Sequence, residues 1–193
     1  MIRVERAPEP PDFDERVRRP GQRWLEKSDR GNTPGYWRRA ARHLRHAFQD
    51  RCAYTAMWLS APGTVDHFVS RDEDRSLSYE WTNLRYAAAW VNSKKGKLRA
   101  GELLDPFEIG DDWFELHLPS CLLVMTDHCP PEQRARARSM LERLGLADDE
   151  DLVEYRREWY RMYLEGEITL EGLARKAPLL ARAVRKRGFL PAR

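Results

Sequence analysis

Apolar positions recur at helical spacing between Tyr36 and Phe48. Trp37, Ala40, Ala41, Leu44, Ala47 and Phe48 share one face, and Arg38, Arg39, Arg42 and Arg45 with His43 and His46 occupy the other. This predicts an amphipathic, basic helix. The preceding stretch, residues 7–34, is punctuated by Pro8, Pro10, Pro11, Pro20, Gly21, Gly31 and Pro34. It reads as an extended arm with a short helix or two, anchored through Phe13, Val17, Trp24 and Leu25. After the Pro62-Gly63 turn the period shortens. Residues 64–69 form a β-prone run, a charged loop follows over 71–75, and residues 81–86 make a second candidate strand. Residues 87–94 read as a helix stopped by Gly96. Residues 113–118 and 121–126, divided by Pro119-Ser120, read as a hairpin. Helices are expected over 131–144, ended by Gly145, over 148–164, with acids in the first turn, and over 170–187. No internal repeat is visible. The expected fold class is α+β, with an arm and basic helix over 1–50, a small strand–strand–helix core over 51–110, and a hairpin with helices over 111–193, all in one compact unit.

Composition narrows the classes. A chain of 193 residues suits one domain, and 41% apolar residues suffice for a core. The longest apolar runs, Ala56–Leu59 and Cys121–Met125, are far too short to span a membrane. The first eight residues contain no apolar stretch of a secretory signal. Cys52, Cys121 and Cys129 are odd in number and widely spaced, which points to reduced thiols and a cytoplasmic setting. The net charge of +3 does not announce a nucleic-acid binder. That near-balance hides opposed blocks. The helix at 36–48 is basic, as is the tail carrying Arg175, Lys176, Arg182, Arg185, Lys186, Arg187 and Arg193, whereas residues 148–171 are acidic. The basic blocks suit a polyanion, and the acidic helix suits a protein partner.

The candidate chemistry lies between Cys52 and Gly96. Val65-Asp66-His67-Phe68 falls on the first strand, Trp81-Thr82-Asn83-Leu84 follows, and Asn92-Ser93-Lys94-Lys95-Gly96 ends the helix. This order resembles that of the HNH endonucleases, whose motif sits on a ββα-metal fold. The opening residues 2–13 and Cys52-Ala53-Tyr54 are further similar to the HNH proteins of Septu-like bacterial anti-phage defence systems, in which the nuclease partners a separate ATPase. The resemblance implies metal-dependent hydrolysis of DNA phosphodiesters, with His67 activating water. Imidazole suits that task because it titrates near neutrality. Asp66 and Asn92 would supply hard oxygens to a divalent cation, Mg²⁺ or Mn²⁺. Asn83 would fix the loop and orient the imidazole. Lys94, Lys95, Arg85, Arg38, Arg42 and Arg45 are the candidate backbone-phosphate contacts.

Two departures from the commonest HNH pattern matter. The last histidine is replaced by Asn92, which shifts the metal preference toward oxygen-loving cations. The paired Cys-x-x-Cys motifs of many relatives are also missing. Cys52 stands alone, Ala88 and Val91 hold the second pair's positions, and no structural zinc is expected. Tyr54, Met57, Trp58 and Trp90 are expected to fill that space by apolar packing. Glu108, Asp111 and Asp112 surround Gly110 and read as a turn, and His117 and His128 lack ligand partners at useful spacing. Two other readings stand beside DNA cleavage: a non-catalytic subunit that binds DNA or the ATPase, and an RNase. A homo-oligomer is compatible with each.

Overall fold

The computed structural model describes residues 2–27 and 33–188; Arg193 of the basic tail and Gly31 of the arm lie outside that range. The arm is more helical than its prolines suggest. A π-helical turn, Asp14–Arg18, runs directly into helix α1, Arg19–Lys27. Pro20 cannot donate to the preceding turn, and the wider π turn just before it takes up the break. Gly21 faces inward. A Cβ there would stand 2.2 Å from the Tyr79 ring, so only glycine lets α1 lie this close to the turn at Arg75–Tyr79. Phe13 and Val17 are buried, as the arm's anchoring requires.

The basic helix divides into a 3₁₀ turn, Tyr36–Ala40, and α2, Ala41–Ala47. Its inner face is the expected one, with Trp37, Ala40, Leu44 and Phe48 buried. Strand β1, Thr64–His67, pairs antiparallel with β2, Leu84–Ala87, in the register Thr64↔Ala87, Val65↔Tyr86, Asp66↔Arg85 and His67↔Leu84. Helix α3, Ala89–Lys95, follows at once and ends at Gly96, whose φ of 48° is a glycine conformation. Both strands are shorter than the expected runs. Residues 81–83 form a 3₁₀ turn rather than strand, because the Asn83 side chain is committed to the loop beyond β1.

The second hairpin joins β3, Phe114–His117, to β4, Leu122–Met125. Helix α4, Pro131–Arg143, gives way to Gly145 at φ 64°, and α5, Glu150–Leu164, is capped by Asp149 accepting from the Leu152 amide. The single helix expected over 170–187 is two helices, α6, Leu170–Lys176, and α7, Pro178–Arg187. Ala177 precedes a proline, whose ring excludes it from helical geometry. Helix α7 packs on β3, with Lys186 Nζ 2.6 Å from Glu115.

The fold is α+β, with its strands confined to two small antiparallel hairpins. One contiguous apolar cluster runs from Phe13 and Val17 through Leu44, Tyr79, Leu84 and Val91 to Phe114, Met140 and Val184. The three sequence segments therefore share a single core. Cys52, Cys121 and Cys129 are free and buried. No helix among the described residues is long and apolar enough to cross a membrane.

Candidate active site

Asp66, His67 and Asn92 line one cleft of about 650 Å³. Strand β1 delivers the first two at its C-terminal end, and α3 delivers the third. Asn92 is oriented by its amide nitrogen, which donates to Thr64 Oγ1 at 3.0 Å and to the Val65 carbonyl at 3.4 Å. That leaves its carbonyl oxygen as the uncommitted donor atom.

His67 is only 8% exposed. Its Nε2 lies 2.9 Å from the Ser78 carbonyl. A carbonyl only accepts, so Nε2 carries the proton and Nδ1 keeps the lone pair. Burial pulls the imidazole pKa down to about 4, against upward pulls from the Ser78 carbonyl and Asp66. The ring is therefore neutral at pH 7, as a proton acceptor must be. Trp37 meets the imidazole edge-on, with centroids 4.8 Å apart, and the Arg71 guanidinium covers the Trp37 ring at 4.7 Å.

Asn83 is buried and holds the loop, not the ring. Its Oδ1 accepts from the Val69 amide at 2.8 Å, and its Nδ2 donates to the Val69 and Leu77 carbonyls at 3.0 and 3.1 Å. The carbonyl that orients His67 belongs to the next residue, Ser78. Asn83 thus acts on the imidazole through the backbone it pins.

Asp66 is buried and doubly engaged. The Tyr54 hydroxyl donates to Oδ2 at 2.5 Å, and Lys95 Nζ stands 3.0 Å from Oδ1 while donating to the His67 carbonyl at 2.5 Å. Burial, reinforced by the Asp66 charge, holds the Tyr54 phenol well above its usual pKa. Tyr54 is therefore a polar partner of the site and not the purely apolar filler expected of it. Trp90, expected to pack in the same place, is exposed.

The candidate phosphate contacts separate into four groups. Arg38 is exposed and lines the cleft, beside Arg71 and Lys97. Arg42 and Arg45 are exposed on α2, with Arg45 paired to Asp50. Lys94 points to the other side of α3, 2.7 Å from Asp149. Lys95 and Arg85 correct the expectation, since both are buried. The Arg85 guanidinium, in a residue only 1% exposed, forks onto Asp105 at 3.0 and 2.6 Å, donates to the Thr82 and Leu84 carbonyls, and rests on the Phe107 ring. It ties β2 to the segment after α3 and has no face left for a phosphate. Lys95 is spent on Asp66 and the β1 backbone.

No protein-family model matches the chain, and no curated protein matches it. The assignment of chemistry therefore rests on the cleft itself. Asp66 and the Asn92 amide are the oxygen donors a Mg²⁺-like cation would need, but both Asp66 oxygens are held by Tyr54 and Lys95, which leaves the Asn92 oxygen as the free one. Among the described residues no three His, Cys, Asp or Glu side chains form a metal cage. A cation bound here would be held by Asp66, Asn92 and water, with Lys95 yielding part of its contact with Asp66.

Sequence reading missed Trp37, Tyr54, Arg71 and Ser78 as parts of this site. Ser78 contributes only a backbone carbonyl, which no side-chain pattern signals. Trp37 and Arg71 come from segments that the motif does not include.

Proposed function

We propose that the chain is a metal-dependent endonuclease of the HNH type, acting on DNA. The observation that supports this most is the convergence of Asp66, His67 and Asn92 on one cleft, with Nε2 of His67 committed to a carbonyl and Nδ1 left as the base. His67 Nδ1 takes a proton from water as the oxygen forms its bond to phosphorus. The bond from phosphorus to the 3′ oxygen breaks in line with the attack. The Ser78 carbonyl, fixed through Asn83, holds the ring during that transfer and favours the imidazolium as it forms. Arg38 and Arg71 at the cleft supply positive charge to the non-bridging phosphate oxygens, while Lys97 is paired with Asp72. A divalent cation held by Asp66 and Asn92 would supply charge neutralisation at the leaving oxygen. The biological setting in this reading is bacterial anti-phage defence, with a partner ATPase.

The test is cleavage of single-stranded DNA, duplex DNA and RNA with Mg²⁺ or Mn²⁺, against an EDTA control. His67→Ala is expected to abolish cleavage with its circular dichroism unchanged, and Asn92→Ala to lower it at least tenfold. Undiminished cleavage by His67→Ala overturns the mechanism.

The Lys95–Asp66 ion pair favours a second reading, a non-catalytic nucleic-acid or ATPase-binding subunit, because it places an ammonium against the metal-ligand carboxylate. The same assay separates the two readings. Nucleic-acid binding without cleavage under any metal selects the subunit.

A further inference from the structure

A second pocket of about 540 Å³ adjoins the cleft, and Gly63 lines both. We infer that this second pocket receives an unpaired nucleobase of the strand whose phosphate lies at His67. The inference rests on the nuclease reading for the strand's position, and it adds the substrate class: nucleic acid that is single-stranded at this point.

Trp58, Trp90, Tyr155 and Pro62 build the walls. Trp90 is 38% exposed and one of three large apolar side chains left exposed among the described residues. It precedes Asn92 by two positions on α3, which places the two on different sides of the helix. One helix thus serves the cleft with Asn92 and the pocket with Trp90. Gly63, just before β1, and Asp66 are separated by about 10 Å of extended chain, a span that neighbouring nucleotides of one strand can bridge. Gly63 lets the chain pack tightly against β2 and Leu59 at this shared edge. A Cβ there would stand 2.8 Å from the Ala87 carbonyl oxygen, the Leu59 side chain and the Tyr86 ring.

The aromatic lining narrows the occupant. Lys94 lies over the Trp90 ring at 5.1 Å and is paired with Asp149, and Lys176 covers Trp58 at 3.4 Å. Asp151 also lines the pocket, whereas the Asp149 oxygens are taken by Lys94 and the Leu152 amide. The Asp151 carboxylate repels a phosphate and accepts hydrogen bonds from amino and imino groups. A flat, neutral ring carrying N–H donors suits aromatic walls with a carboxylate nearby, and nucleobases are such rings. In a duplex every base is paired and stacked inside, out of reach of this pocket.

The experiment is fluorescence anisotropy with the full chain in EDTA. It compares a fluorescein-labelled single strand, the same strand with abasic spacers, and the corresponding duplex. The base-bearing strand is expected to bind about tenfold more tightly than the abasic strand, and more tightly than the duplex. Trp90→Ala should erase that advantage, and Trp90→Phe should retain most of it. Equal affinity for base-bearing and abasic strands, an unaltered preference in Trp90→Ala, or tighter binding to duplex overturns the inference and leaves the groove to a protein partner. The cleavage assay fails independently. Base-dependent binding without cleavage removes the nuclease but keeps the pocket, and cleavage with base-independent binding removes the pocket alone.

Discussion

At Lys95 a buried ammonium joins the Asp66 carboxylate to the His67 carbonyl, and Tyr54 closes the carboxylate's other oxygen. Removing one partner of such a pair leaves an uncompensated buried charge, so Lys95→Met should cost about 3 kcal/mol in urea unfolding. Adding Asp66→Asn should recover part of that loss. Additive costs in the double variant would show that the two side chains do not interact. His67 carries the pH dependence at this scale. Its folded pKa of about 4 lies below the ordinary histidine value near 6.5, so between the two the unfolded chain binds more protons. Its contribution is intact above about pH 6.5 and is lost as pH falls toward 4, by up to about 3 kcal/mol. Urea unfolding at both ends of that window should show a smaller decline for His67→Gln than for the natural chain, and an equal decline would discount the buried neutral ring. Asp66, His67 and Asn92 were legible as a group because residue type and order carry them. The burial of Lys95 and Arg85 was not. A lysine before a helix stop and an arginine on a short strand both read as solvent-facing, and only tertiary partners reveal otherwise.

Among the elements, the β1–β2–α3 unit was legible because β-prone runs, a turn dipeptide and a helix-stopping glycine all agree on it. The helix at 36–48 was equally plain from its apolar face. The arm misled through Pro20-Gly21, which reads as a break and instead lies within a helical stretch from Asp14 to Lys27. Gly21 is there for proximity to Tyr79, a tertiary demand that sequence spacing does not express. Gly21→Ala is therefore expected to destabilise by about 1–3 kcal/mol through overpacking, although alanine is the better helix former. A gain in melting temperature would mean that α1 can move off the Tyr79 turn at little cost. The single helix expected over 170–187 passes over Pro178, because apolar residues continue on both sides of it.

Across the whole molecule, a small net charge coexists with local fields. The cleft gathers Arg38 and Arg71, with Lys97 paired to Asp72, whereas Asp149, Glu154, Glu158 and Glu165, on and beside α5, are spent on Lys94, Arg157 and Arg161. Under the proposed function, nucleic-acid affinity should fall steeply with salt, and each of Arg38→Gln and Arg71→Gln should reduce the slope of log affinity against log salt by about 1. Glutamine at Arg85 should leave that slope unchanged in whatever fraction stays folded, because its guanidinium is sealed against Asp105. The acidic helix also carries a buried cation, Arg156, which donates to the Cys121, Leu146 and Ala147 carbonyls and joins α5 to the second hairpin. The edge-on contact between Trp37 and His67 has a consequence for engineering. The His67 ring takes one wall from outside its own motif, so residues 51–110 are not a portable cartridge. Grafted into another scaffold without the helix that carries Trp37, they would present the same sequence signature around a wet and loosely held imidazole.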